Sequence, residues 1–349
     1  MNIRGIFMKF KKIISLSLVT VMVGASLVGC SSSNPSEDNT DKKLKVTMIS
    51  DLGGINDQSF NQSGWEGLQK AGEDFNIDVN VLESKQTSDY TSNVETAIEE
   101  GADLVIGIGF TMDKAIEEAS EYYPDQKFVI IDHAYEKQPS NVKSIMFKAQ
   151  EASYLAGLIA GKSTKTNKVG FIGGAKGNII ESFEYGYKTG VFDANKDVEV
   201  LAQYASTYTD SAKGKSIANQ MYSNNADIVF SAAGETGNGS IEAARENNKY
   251  AIGVDKDQSY LAPENILTSA VKRVDTVIYD TVKDLVNGKF DGGQVIYGGL
   301  KEGAVGIPES TSKLVDKETL GFVNEQAEKI KTGEIKVPAT EIEYNNYIK

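Results

Sequence analysis

Two stretches of this chain, Gly101-Ala102-Asp103-Leu104-Val105-Ile106-Gly107 and Asn225-Ala226-Asp227-Ile228-Val229-Phe230-Ser231, repeat one design. Each joins Ala-Asp to a short apolar run, follows a helical pattern, and precedes a loop, a second helix and a strand ending in Asp. From Ala102 to Asp132 is 30 positions; from Ala226 to Asp255 is 29. Recurrent α/β architecture alone accounts for the spacing. The shared Ala-Asp-apolar run points further, to one unit used twice and so to two similar lobes.

Outward from these stretches, strand patterns fall at Lys45–Ser50, Val79–Leu82, Leu104–Ile108 and Phe128–Ile131, then at Lys168–Ile172, Val198–Ala202, Ile228–Ala232 and Ala251–Val254. Short apolar strands alternating with amphipathic helices predict an α/β fold of doubly wound parallel sheets covered on both faces. Ser59 is expected to cap a helix with Trp65, Leu68 and Phe75 on one face. Val142–Phe147 and Ile266–Val271 read as crossings between lobes, with a third crossing near Val295–Ile307. Residues 272–290 read as a helix returning to the first lobe, and Lys317–Lys331 as a final helix on the second. The first lobe then comprises 44–146 with 272–298, and the second 147–271 with 299–349.

Composition removes several function classes. The 349 residues are 40% hydrophobic and 24% charged, ordinary for a globular chain. With 36 Lys and Arg against 49 Asp and Glu, the net charge of −13 argues against nucleic acid as a partner. A single Cys excludes a disulfide framework and Cys-rich metal sites. A single His, His133, excludes two-His metal sites and leaves one imidazole base. No cofactor and no metal are expected.

The sole Cys carries its own signal. Arg4, Lys9, Lys11 and Lys12 precede an uncharged run, Ile13 to Val28, too short to span a bilayer at the ~20 residues a helix needs. The run ends in Leu27-Val28-Gly29-Cys30. Residues 1–29 read as a secretory leader, and the Cys resembles that of a bacterial lipobox, where the thiol receives lipid and becomes the mature N-terminus. An uncut N-terminal anchor is the alternative. Removing four basic and no acidic residues leaves a net charge of −17, so attachment would rest on lipid at Cys30 and not on a polybasic patch. Residues 30–43, rich in Ser, Asn and Asp, read as a solvated tether. The expected location is the extracytoplasmic face of a bacterial cell membrane.

Ligands of open parallel sheets bind beyond the carboxyl ends of the strands. Five such places carry chemistry: Asp51 to Asn61, Phe110-Thr111, Asp132-His133, Gly173 to Gly177 before the helix with Phe183, and Asp255 to Asp257. Two facing lobes would gather Asp51, Asp57, Asp132 and Asp255 around one cleft. Ionised carboxylates only accept hydrogen bonds, so such a cleft suits a neutral, donor-rich ligand. A ribose diol or a purine N–H edge qualifies, and aromatic faces such as Phe60 and Phe183 stack on bases. Lys272 would steady a carboxylate or donate to a ligand oxygen. Each residue also has a plainer role: strand-end Asp residues cap helices, and Phe residues fill cores. Two decoys are set aside. Ala156 to Ser163 fits a relaxed phosphate-loop pattern but closes a helix instead of opening one, with Gly161 read as its terminator. His133 beside Asp132 resembles a catalytic pair, but neighbours on a strand point to opposite faces.

At this point a family resemblance enters. Asp51-Leu52-Gly53-Gly54-Ile55-Asn56-Asp57-Gln58-Ser59-Phe60-Asn61 resembles the opening signature of the basic membrane protein family, substrate-binding lipoproteins of ABC importers that include purine nucleoside receptors. Ile130-Ile131-Asp132, Glu151 to Gly157, Gly253 to Gln258 and Thr268 to Asp275 match as well, so the resemblance covers residues 44 to about 335. It implies a type I periplasmic-binding-protein fold with three crossing segments and a nucleoside, guanosine or inosine favoured, between the lobes. By position, Phe60 and Phe183 would flank the base and Asp132 would read its edge. Asp255 with Lys272 would hold the ribose, and Asp51, Asp57, Asn61 and Gly237 would complete the site. The implied partners are ABC permease subunits, and the implied state is a monomer that performs no chemistry. Other readings stay open: the same scaffold holding a sugar or vitamin, a secreted nucleoside-processing enzyme, or a surface antigen.

Overall fold

The computed structural model describes residues 43–349. The leader at 1–29, Cys30 and the tether to residue 42 lie outside the described residues.

The chain opens with β1 (Lys45–Ser50), α1 (Phe60–Phe75), β2 (Asp78–Glu83), α2 (Asp89–Glu99), β3 (Leu104–Gly107), α3 (Asp113–Tyr122), β4 (Lys127–Ile131) and β5 (Val142–Phe147). It continues through α4 (Ala149–Ser163), β6 (Lys168–Gly173), α5 (Asn178–Ala194), β7 (Glu199–Tyr204), α6 (Ser211–Ser223), β8 (Ile228–Ala232), α7 (Glu235–Glu246), β9 (Tyr250–Asp255) and β10 (Ile266–Lys272). It ends with α8 (Val274–Val286), β11 (Val295–Gly298), β12 (Val305–Gly306), α9 (Lys317–Thr332) and α10 (Glu341–Tyr347).

Two six-stranded sheets result, ordered β11-β5-β4-β3-β1-β2 and β12-β10-β9-β8-β6-β7. All pairings are parallel except β10 with β12. Apart from β11 and β12, the five remaining strands of each sheet follow one order, displaced by five strand numbers, so the duplication read from Ala-Asp-apolar is a duplication of topology. The strands that carry it, β3 and β8, are buried throughout.

The two matched Asp residues do the same job in each half. Asp103 accepts the Lys45 N–H at 2.8 Å. Asp227 accepts the Thr164 hydroxyl at 2.7 Å and the Lys165 N–H at 2.6 Å. Both carboxylates therefore fasten backbone at the entry to the first strand of their sheet. They sit at the amino ends of the strands, remote from the ends where ligands bind.

Three expectations need correction. Val142–Phe147 and Ile266–Val271 are not crossings but full strands, each held between two neighbours; an apolar run buried on all sides reads the same either way. The chain passes between sheets just after them, at Lys148 and Arg273, and a third time between Gly298 and Val305. Gly161 does not end a helix, because α4 runs on to Ser163. A Cβ on Gly161 would stand 2.6 Å from the Ala194 methyl, and one on Gly157 2.2 Å from the Tyr187 carbonyl oxygen. Gly186 and Gly190 of α5 make the reciprocal contacts, so four glycines set how closely α4 and α5 approach. Finally, α10 is an unanticipated element. Thr340 and Glu343 form a full capping box at its start, a pattern legible in sequence.

Helix α8 returns to pack on α1. A Cβ on Gly67 would meet the Asp275 carbonyl oxygen at 2.2 Å, and the side chains nearest Gly64 are Ile108, Ile278 and Met48. The first sheet thus takes β11 and a covering helix from chain that follows the second sheet's main strands.

Candidate functional site

In a doubly wound sheet the crevice lies where strand order reverses, here between β1 and β3 and between β6 and β8. The segments leaving these strands converge on one cavity. Asp51, Asp57, Phe60, Asn61, Asp132, Phe183, Asp255 and Lys272 all line it. Gly237 does not. It lies inside α7, where a Cβ would face Ser231. The glycine that this segment puts on the cavity wall is Gly234, whose φ of 54° turns the chain out of β8.

The side chains form two polar poles. At the first, Asp51 Oδ1 accepts from the Gly53 N–H at 2.8 Å and from Asn61 Nδ2 at 2.7 Å, and Asn61 Oδ1 accepts the Asp51 N–H at 3.0 Å. Asp57 stands behind them and caps α1, accepting from the N–H groups of Ser59, Asn61 and Gln62 and from Asn61 Nδ2. This corrects the expectation for Ser59, which makes no side-chain cap. Its hydroxyl instead donates to Asp255 across the cleft.

At the second pole, Lys272 Nζ lies 2.5 Å from Asp132 and 3.9 Å from Asp255, all three side chains being 8% exposed or less. Asp132 and Asp255 occupy equivalent strand ends and share a backbone conformation, with φ of 65° and 64°. Left-handed geometry is uncommon for residues other than glycine and tolerated best by Asp and Asn. Sharing one ammonium, Asp132 and Lys272 serve the same end of any ligand.

Aromatic faces lie alongside. The Lys272 ammonium sits 4.2 Å from the centroid of Phe60 and 5.8 Å from that of Phe183. Tyr208, absent from the sequence expectations, lines the second-lobe wall, and its hydroxyl has no hydrogen-bond partner among the described residues. Burial pushes that hydroxyl's pKa up to about 12, with the cavity carboxylates adding to the effect. His133 turns away from Asp132 and packs edge-on to Tyr135 at 4.5 Å.

Five carboxylates, those of Asp51, Asp57, Asp132, Glu235 and Asp255, against the one ammonium of Lys272 make the cavity acidic. Burial is the main reason that Asp51 and Asp255 titrate near 6. For Asp51 the bonds from Gly53 and Asn61 oppose the rise, and for Asp255 the Lys272 charge does. The lobes meet along one side of the cleft: Lys256 pairs with Glu66 at 2.7 Å, Tyr260 donates to Gln58 at 2.6 Å, and Asn238 donates to the Asp57 carbonyl at 2.9 Å.

Residues 43–341 match the family described as ABC transporter substrate-binding protein PnrA-like. The chain belongs to this family. A CD4+ T-cell-stimulating antigen of Listeria innocua is 39% identical, over 94% of this chain and 99% of that protein. The ABC transporter nucleoside-binding protein BmpA of Lactococcus lactis is 38% identical, over 88% of this chain and 94% of that protein. Among solved structures, a solute-binding protein of an ABC transporter system from Aeropyrum pernix aligns at TM-score 0.80 with 28% identity, covering 87% of this chain and 96% of that one. The chain is thus a substrate-binding protein of an ABC transporter, with the type I periplasmic-binding fold. Among the described residues no helix is long and apolar enough to cross a membrane.

Proposed function

We propose that this family member captures purine nucleosides, guanosine and inosine ahead of adenosine, and is held at the membrane by lipid on Cys30. The observation that carries the ligand reading is the pair of polar poles flanked by Phe60 and Phe183. Asp255 and Lys272 combine an acceptor with a donor, as a ribose diol requires, and Asp132 holds the Lys272 ammonium beside them. Asp51 and Asn61 combine a carboxylate with an amide, which fits the N1–H donor and O6 acceptor of guanine and hypoxanthine. The Lactococcus lactis relative, named for nucleoside binding, supports the same reading. A sugar would use the second pole but leave the first pole and the aromatic faces without a role.

Calorimetric titration of guanosine and adenosine into the protein and its Asp51→Asn variant tests this. Neutral adenine presents an acceptor at N1, opposing the Asp51 carboxylate. A buried polar group left unpaired costs ~1–3 kcal/mol, so guanosine should bind about 5- to 100-fold more tightly. Asp51→Asn should narrow the gap, since an amide both donates and accepts. Equal affinities in the unaltered protein would remove Asp51 as the base reader.

The pH dependence has a definite sign. A carboxylate that accepts from the ligand must be ionised, so guanosine affinity should hold above pH 6. It should then fall as pH drops through about 6, where Asp51 and Asp255 protonate. The unliganded protein should respond oppositely. Groups whose folded pKa lies above the unfolded value bind more protons when folded, so stability rises as pH falls from neutral toward 4. Thermal melts with and without guanosine at pH 7.5 and 5 would show both trends.

For the anchor, Cys30→Ala should move the protein from the membrane fraction to the soluble or culture fraction and abolish the lipid mass increment. Unchanged membrane retention at unchanged mass would rule the lipid out.

A further inference from the structure

Resting on the nucleoside reading, we propose that the receptor also accepts nucleosides bearing an uncharged, apolar group on the ribose 5′ carbon, the group occupying a second cavity beside the first. That cavity encloses about 620 Å³ and is partly open to solvent. Phe110, Asp132, Ile179 and Ile180 line both cavities, so the two adjoin across a wall of four side chains. Beyond the wall the apolar side chains of Ala134, Met146 and Ala175 share the lining with His133 and Asn178.

The position of Asp132 decides which end of the ligand faces this space. Asp132 stands where the cavities join and holds Lys272, which in turn faces Asp255. The sugar pole therefore borders the second cavity, while Asp51 and Asn61 line only the first. With the 2′ and 3′ hydroxyls held by Asp255 and Lys272, the 5′ carbon is the ribose atom free to carry a substituent toward Asp132. A 5′-phosphate suits this path poorly. It would meet the Asp132 carboxylate, and Lys272 is already paired there. The side chains beyond favour a short alkyl or alkylthio group, so 5′-deoxy-5′-alkylthio nucleosides are the chemical class assigned.

The test uses the full chain and three probes in calorimetry: inosine, 5′-deoxy-5′-methylthioinosine and inosine 5′-monophosphate. The methylthio compound should bind within about 3-fold of inosine or more tightly, and the monophosphate at least about 100-fold more weakly. Ala134→Phe fills the second cavity without touching the first. It should leave inosine within about 3-fold and weaken the methylthio compound about 10-fold or more. Inosine binding with the methylthio compound lost overturns the 5′ assignment and leaves the nucleoside reading intact. So does a monophosphate as tight as inosine, or an equal loss for both neutral ligands in Ala134→Phe. Failure of inosine itself to bind overturns both.

Discussion

Lys272→Met is expected to cost about 3–5 kcal/mol in nucleoside binding, a loss of roughly two to three orders of magnitude, because removing one partner of a buried ion pair strands the other. Here it strands two. Asp132 and Asp255 approach the same ammonium from equivalent strand ends, and without it they face each other unscreened in a nearly closed site. Lys272 also opposes the upward shift of Asp255, so the variant's Asp255 should titrate above 6. The folding deficit of Lys272→Met should be largest near neutral pH and shrink as acid protonates Asp255. Denaturant melts at pH 7.5 and 5, with calorimetry at the higher pH, measure both effects. A folded variant with unchanged affinity would reduce Lys272 to a counter-charge with no part in holding ligand.

The second large effect reverses a rule of thumb. Gly to Ala inside a helix stabilises by ~0.5–1 kcal/mol on backbone grounds. At Gly321, exposed on α9 with nothing near its Cβ position, Gly321→Ala should gain that amount. At Gly190 the new methyl carbon would stand 2.0 Å from the Tyr154 carbonyl oxygen and 2.9 Å from the Leu158 nitrogen. Backbone cannot swing aside as a side chain can, so α4 and α5 must part, at an overpacking cost of ~1–3 kcal/mol that exceeds the propensity gain. Gly190→Ala should therefore lower the melting temperature by several degrees while Gly321→Ala raises it slightly. Two shifts of the same sign would contradict the close-approach account.

Much of this was legible in the sequence because it rests on periodicity and repetition. Eight of the twelve strands in the two sheets, β1 to β4 and β6 to β9, match the sequence reading to within a residue or two, since short apolar runs bounded by Asp and Gly leave few alternatives; β5, β10, β11 and β12 fall in segments read as crossings. The pairing of Asp132 with Asp255 was visible as spacings of 30 and 29 positions from Ala102 and Ala226, and their shared left-handed backbone is its structural counterpart. What failed required distances. No pattern distinguishes a buried strand such as β5 from a crossing, nor a helix-ending glycine from Gly161 pressed against α5. Gly237 was placed by position within a motif, three residues from Gly234, which reaches the cavity. The joining of Asp132 to Lys272 spans 140 positions, and only the assembled lobes reveal it. Tyr208 gave one faint signal, an aromatic residue in the loop following a strand, too common to single out.

The return of α8 to α1 has a consequence for how the molecule is made. In a chain synthesised N-terminus first, the second sheet's strands β6 to β10 are complete by residue 272. The first sheet, begun earlier, still lacks β11 on its edge and the helix that covers Gly64 and Gly67. Its α1 face stays bare until residues some two hundred positions downstream emerge. The half translated first thus waits on chain made after the main strands of the other half, and contacts of such long sequence separation form slowly. During that interval the growing chain carries an uncovered apolar surface, which is the surface an export chaperone or a neighbouring nascent chain would meet.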